Sequence, residues 1–426
     1  MINTNPVYKN YSSFLIQFFK LIIKLPIILL AIVFVIIIRI SSPLIRIRLG
    51  SIGMERIGHF AINPELYLCK IDAGLEKIKT FDILFFQPSR PIYNQQLKKM
   101  WERTLPISII SHYTRFLSYA YKFNKMITGW EKHEIKFQEG WLSLKTYGDP
   151  NYLIDKYPKH LIFSKDEIDY AKSRLKEIGI LEQPYICFQN REALYLENDF
   201  SHNDWNYHNY RDSNISNYLE AADELTKLGY YSVRVGRSAK DKLLLNNNKI
   251  IDYASNFRED ILDIYLIANS RFVIFPHTGT KHVAMIFRVP IVCVNVICYT
   301  GIFYLQKQDI CVPKLLRDKN KNRFLKFNEI LCTEIACFTK SEQYEDYGIE
   351  VCENSPEEIR DAAIEMEQRL NNSWQPENGD EVLQNIFKEL AMRIQLPDES
   401  LIKDIIPDGI KCKLSANFLR KHRNLL

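Results

Sequence analysis

Residues 250–279 read IIDYASNFREDILDIYLIANSRFVIFPHTG. An apolar run (Ile250–Tyr253) precedes an amphipathic stretch opened by acids (Asp260–Asn269). A second apolar run follows (Arg271–Phe275), then a turn, Pro276-His-Thr-Gly-Thr-Lys-His282. This is strand, helix, strand and loop, and the rhythm continues on both sides. C-terminally it predicts a helix over Lys281–Phe287 and a strand over Ile291–Val296. N-terminally it predicts strands over Tyr185–Gln189 and Tyr231–Val235. Between them lies a helix over Asn214–Leu228, capped by Asp212 or Ser213 and stopped by Gly229. Short apolar strands alternating with amphipathic helices imply a parallel sheet covered on both faces. Residues 183–330 therefore read as a doubly wound α/β lobe.

The flanking segments are less regular. Leu44–Leu49 alternates apolar and basic residues as a half-buried strand does. A glycine-containing loop (Gly50–Gly58), a helix over His59–Asp72, a strand over Phe81–Phe86 and a helix over Asn94–Arg103 follow. Residues 43–182 thus predict a first Rossmann-type lobe, with a cleft between it and the second. Residues 331–426 read as a mostly helical tail packing back on the lobes. Within it Ser355-Pro-Glu-Glu opens a helix with a cap, a first-position proline and acids in the first turn.

At 426 residues, 46% hydrophobic and 25% charged, the chain is neither intrinsically disordered nor polytopic in a membrane. Its net charge of +5 is unevenly spread: no acid precedes Glu55, while Lys9, Lys20, Lys24, Arg39, Arg46 and Arg48 all do. These basic residues surround Leu25–Ile38, an uncharged apolar run. That combination points to an anionic membrane surface rather than to nucleic acid. As a helix the run reaches about 21 Å, short of the roughly 30 Å hydrocarbon core. The expectation for residues 1–42 is an interfacial or shallowly inserted anchor helix, with a single span or a buried core helix as alternatives. The remainder would face the cytoplasm at the inner membrane. The nine cysteines show no zinc-ligand spacing and read as reduced thiols.

Ligands of doubly wound sheets lie beyond the carboxyl ends of the strands, so the loops there carry the candidate chemistry. The turn Thr278-Gly279-Thr280 opens a helix and suits a phosphate, with Lys281 adding charge. Arg191, Arg211, Arg234 and Arg237 all fall near the same sheet edge and offer permanently charged, bidentate donors for a diphosphate. For Arg234, inside a strand, a structural role is as well founded. Asp252 and Asp263 suit a ribose hydroxyl or a base N–H, while Asp260 equally suits a helix dipole. In the first lobe Arg56, His59 and Glu65 lie at or beyond the first helix start. His59 is the candidate base for an acceptor hydroxyl. No Asp-x-Asp metal motif, Walker A loop, G-x-G-x-x-G or G-x-S-x-G occurs, which lowers metal-dependent transfer, nucleotide hydrolysis, dinucleotide redox and hydrolase chemistry. No metal and no separate cofactor is expected.

RIGHFAINPELYLC (56–69), YRDSNISNYLEAADELTKLGYYSVRVG (210–236), the stretch 250–279 and ANFLRKHRNLL (416–426) resemble a family of bacterial glycosyltransferases of cell-surface polysaccharide (O-antigen-type) biosynthesis. The second lobe is more distantly similar to two-lobed GT-B enzymes such as heptosyltransferases, in which a Ser/Thr-Gly turn and a helix beginning near a histidine hold a nucleotide sugar. Thr278, Gly279 and His282 match that pattern. His59 stands where heptosyltransferases carry a catalytic carboxylate. The resemblance implies metal-independent transfer of a sugar from a nucleotide-diphosphate donor to a polyprenyl-linked or polysaccharide acceptor. A catalytically idle membrane scaffold or nucleotide sensor is the alternative, favoured by the missing carboxylate. An epimerase lacks its cofactor fingerprint.

Overall fold

A computed structural model describes residues 24–75, 80–88, 91–105, 114–137, 149–180, 183–192, 206–237, 242–243 and 246–426. Its centre is a seven-stranded parallel sheet. The strands are β3 (Tyr185–Phe188), β4 (Tyr231–Arg234), β5 (Ile250–Asp252), β6 (Val273–Pro276), β7 (Ile291–Val296), β8 (Ile310–Pro313) and β12 (Lys413–Leu414), in the order β12-β8-β7-β6-β3-β4-β5. Every pairing is parallel. β3, β4, β6, β7 and β8 are buried along their whole length, which is why they read as unbroken apolar runs. Connections leave β3 toward β4 and β5, then return to place β6 on its other side. The strand order therefore reverses between β3 and β6, and a crevice opens there.

The first lobe is described in part. Its described residues contribute two parallel strands, β1 (Arg46–Ile52) and β2 (Thr80–Phe86), rather than a doubly wound sheet. They are covered by α1 (residues 24–40), α2 (Ile57–Asp72), α3 (Gln95–Thr104) and α4 (Thr114–Lys125). Asn94 caps α3 by accepting from Leu97 N–H. Trp101 is fully buried and its indole donates to Phe60 O at 2.9 Å, fixing α3 on α2. α5 (Lys165–Glu177) begins with a capping box formed by Ser164 and Glu167 and leads into β3.

In the second lobe, α6 (Leu219–Lys227) follows a single 3-10 turn at Ile215–Tyr218. The side-chain cap there is Asn214, one or two residues later than expected. α7 (Asp260–Ala268) and the short α8 (Lys281–Ile286) match the predicted pattern. Residues 331–426 do more than pack against the lobes. β12 extends the parallel sheet, and β11 (Ile349–Cys352) joins β9 (Leu315–Asp318) and β10 (Arg323–Phe324) in a small antiparallel sheet. α9 (Pro356–Leu370), with the expected Ser355–Glu358 capping box, packs among the helices covering the sheet. α10 (Asp380–Ala391) and α11 (Ala416–Lys421) close that side.

The N-terminal helix differs from a free-standing anchor. Ala31, Val35 and Ile38 bury one face of α1 against Leu49, Ile83, Phe85, Leu117 and Ala120 of β1, β2 and α4. Arg39 fixes its end, donating to Asn124 Oδ1 at 2.7 Å and Thr128 O at 3.0 Å. Among the described residues no helix is long and apolar enough to cross a membrane.

Candidate functional site

A cleft opens where the strand order reverses. Its wall combines the ends of β3 (Gln189–Glu192), β4 (Arg234, Val235, Arg237) and β6 (His277–Thr280) with His208, Arg211 and His282. The first lobe supplies Arg56–His59 and Tyr93. Five arginines and four histidines meet there, and Glu192 is the single acid among the lining residues.

The start of α2 points into this cleft. Its N-cap, Arg56, makes no side-chain capping hydrogen bond, and the first turn carries no acid. The amide groups of that turn, with the positive end of a sixteen-residue helix behind them, form an anion-attracting surface. Opposite it runs the Thr278–Thr280 turn. The two loops touch through glycines: a Cβ on Gly58 would lie 2.9 Å from Gly279 Cα and 2.8 Å from His282 Nδ1. Thr278 Oγ1 and His282 Nδ1 are buried without a hydrogen-bond partner among the described residues. Unmatched buried polar atoms in a cleft are what a polar ligand satisfies.

The arginines differ in their duties. Arg191 is buried, ion-paired with Asp212, and donates to His208 O at 3.2 Å. Arg211 donates to His277 O at 2.6 Å, tying the 206–211 turn to the β6 loop. Arg237 lies over the Tyr93 ring, 4.5 Å from its centroid, and joins the two lobes across the cleft mouth. Arg234 is 2% exposed and sits between Glu192 at 3.4 Å and Asp252 at 3.6 Å, so much of its charge is matched inside the lobe.

The histidines carry little charge. Burial, aided by the field of Arg56, holds the His59 imidazole below its usual pKa. Burial and the neighbouring Arg211 and Arg191 push His208 down to about 3. Burial and the charge of Lys281 hold His277 and His282 well below the usual imidazole range as well. At neutral pH the cleft therefore presents permanently charged guanidiniums and neutral imidazoles.

The cleft gathers Arg56, His59, Arg191, Arg211, Arg234, Arg237, Thr278, Gly279, Thr280 and His282 from the residues the sequence singled out. Five others lie elsewhere. Glu65 is fully buried two turns further along α2, ion-paired with Arg288 at 2.7 Å and His160 at 3.1 Å, and does not reach the cleft. Asp252 pairs with Arg234 and accepts from Leu243 N–H at 3.1 Å. Asp263 lines a smaller recess beside the cleft with Tyr93 and Asn94, and there it holds Arg258 at 2.9 Å and the Tyr253 hydroxyl at 2.8 Å. Burial raises its pKa to about 6. Lys281 points away from the cleft into the core beside Asp309 and Cys293, fully buried, with burial lowering its pKa. Asp260, at the start of α7, accepts from Gln95 N–H at 2.7 Å and so ties the second lobe to α3.

Sequence reasoning missed Tyr93, Gln189, Asn190, Glu192, His208 and His277. The pairs flanking Arg191 and Thr278 were within reach, since they occupy the same strand ends. Glu65, Cys69 and His160 form the one cluster with metal-ligand atoms among the described residues. The Arg288 guanidinium already lies between Glu65 and Cys69, 3.6 Å from the thiol sulfur. A resident cation there takes the place a metal would need.

No family model matches the sequence, and no curated protein matches it. Among solved structures the chain is similar to a glycosyl transferase family 9 protein of Veillonella parvula, at 13% identity over 59% of this chain and 80% of that one, TM-score 0.38. It is also similar to the ADP-heptose lipopolysaccharide heptosyltransferase II of E. coli, at 15% identity over 58% and 84%, TM-score 0.33. The iron-containing dodecameric glycosyltransferase TibC of enterotoxigenic E. coli matches at 11% identity over 60% and 62%, TM-score 0.29.

Proposed function

We propose that this protein is a glycosyltransferase that takes a sugar from a nucleotide-diphosphate donor and passes it to a lipid-linked or polysaccharide acceptor of the cell surface. The observation that carries the reading is the meeting of Arg191, Arg211 and Arg237 with the uncapped start of α2, at the point where a parallel sheet reverses its strand order. A pyrophosphate needs bidentate cationic donors and backbone amides in one place. This cleft offers both, with one acid in its wall. The sequence resemblance of residues 56–69, 210–236 and 250–279 to polysaccharide glycosyltransferases supports the same reading.

In the transfer, an acceptor oxygen attacks the anomeric carbon as the bond from that carbon to the diphosphate oxygen breaks. Negative charge grows on the leaving diphosphate, where Arg191, Arg211, Arg237 and the α2 amides stabilise it. The acceptor hydroxyl loses its proton to the neutral His59 imidazole on the first-lobe side. These groups of the chain itself supply the charge stabilisation.

Calorimetric titration of the purified chain with UDP, GDP, ADP and CMP tests this, followed by incubation with the matching nucleotide sugars. One nucleoside diphosphate binding well above the others, with binding lost in Arg211→Ala, is the expected result. Absence of binding by every nucleotide overturns the reading, and binding without sugar transfer to any acceptor leaves an idle nucleotide-binding scaffold.

A further inference from the structure

We infer that the outward face of α1 is a bilayer-docking surface that lies in the membrane plane and holds the first lobe against anionic lipid. The inference does not depend on the transferase reading, because it concerns a different surface and a different readout.

Ala31, Val35 and Ile38 fall on one side of α1 and are buried on the lobe. The opposite side of a helix on a water-exposed protein is normally polar. Here Leu29, Leu30, Val33, Ile36, Ile37 and Ile40 occupy it, 47–75% exposed, and no charged residue lies between Lys24 and Arg39. A continuous aliphatic strip of this length exceeds the scattered apolar exposure of ordinary surfaces and marks a face that something covers.

Charge selects the occupant. Lys24 at the start of α1 and Arg115 and Lys122 on α4, which packs against the same cluster, are exposed, and neither helix contains an acid. Aliphatic residues bordered by cations match the acyl and phosphate layers of an anionic bilayer. Orientation follows from packing. Phe34 packs against Phe116 with ring centroids 5.3 Å apart and the rings tilted, and Arg39 is bonded to Asn124 and Thr128. To stand upright across a bilayer, α1 would have to abandon these contacts. Lying flat keeps them and exposes only the strip to lipid.

The test is co-sedimentation of the full-length chain with vesicles of phosphatidylethanolamine and phosphatidylglycerol, compared with pure phosphatidylcholine. The wild type should prefer the anionic vesicles and be released by alkaline carbonate, as an in-plane helix is. The double variant Leu30→Glu/Ile37→Glu alters only outward positions. It should keep its melting temperature and lose at least tenfold in vesicle binding. Arg115→Gln/Lys122→Gln should weaken binding to anionic vesicles about fivefold per charge removed. Undiminished binding by the Leu30→Glu/Ile37→Glu variant overturns the proposal, as does carbonate-resistant insertion. A lipid-free dimer by light scattering that the same variant dissociates also overturns it, because a second copy would then cover the strip.

Discussion

Gly58 and Gly279 meet backbone to backbone where the two lobes touch: a Cβ on Gly279 would lie 3.1 Å from Gly58 N, and one on Gly58 only 2.9 Å from Gly279 Cα. The first residue opens the helix of one lobe, and the second lies in the turn before a helix of the other. Neither glycine is required by a left-handed backbone; space alone excludes a side chain. The contact sets the width of the cleft at its floor.

Gly58→Ala should therefore force α2 and the 278–280 turn apart. Overpacking of this kind costs about 1–3 kcal/mol, and the relief lies in widening the cleft. The expected outcome is a lower melting temperature together with weaker nucleotide binding. Gly74→Ala is a poor control, since that residue has a positive φ. Gly53→Ala is better, because the nearest atoms to its Cβ belong to the flexible Glu55 side chain. It should leave nucleotide affinity unchanged.

The arginines of the cleft should separate into two groups when each is replaced by alanine. Arg234 is buried between two carboxylates, so Arg234→Ala strands Glu192 and Asp252 and should destabilise the protein by about 3–5 kcal/mol. Arg237, stacked on Tyr93 at the cleft mouth, should lose nucleotide affinity with little change in melting temperature. Arg237→Lys should not restore binding, because an ammonium reproduces neither the stacking nor the bidentate fork. Thermal melts and calorimetric titration of these variants together decide whether binding and stability part in this way.

The same distinction explains what the sequence could and could not disclose. The second lobe was legible because its strands are buried on both faces and its helices carry periodic apolar stripes and ordinary caps. The arginines were legible because strand ends are visible in a sequence. Tyr93 was not, since its place depends on a first-lobe loop crossing to Arg237, a contact with no local signature. Lys281 misled for a geometric reason. It begins a helix, and at 100° per residue its side chain turns toward the core while that of His282 lines the cleft. Glu65 misled similarly, lying two helical turns beyond His59 and facing Arg288. The apolar run at 25–38 announced its hydrophobicity but not the lobe that takes up one of its faces.

Glu65, Arg288 and His160 predict a stability profile with pH. Contacts with the Cys69 thiol, Glu65 and Asp72 raise the His160 pKa to about 10. An unfolded histidine titrates near 6.5. The folded protein thus holds a proton that the unfolded chain releases between those values. The contribution is fully present below about pH 6.5 and is lost as pH rises toward 10. Melting temperature should fall across that window in the wild type and fall less steeply in His160→Gln. Arg288→Ala, which leaves Glu65 buried without its guanidinium, should be the more damaging change at neutral pH.

His59 yields the prediction most specific to chemistry. Its imidazole is held below the ordinary histidine pKa, first by burial and then by Arg56, so it is neutral and able to accept a proton at pH 7. If it is the base, transfer should be level through neutral pH and decline only on the acid side of the usual histidine value. His59→Asn keeps a polar side chain near the start of α2 but cannot take a proton in this range. It should lower kcat by 10²–10⁴ while leaving the nucleotide Kd within a few-fold. Arg56→Gln removes a positive neighbour that disfavours the imidazolium, so the acid limb of its pH profile should move upward. A profile unmoved by Arg56→Gln, or a His59→Asn variant with full turnover, would assign the proton transfer to another group.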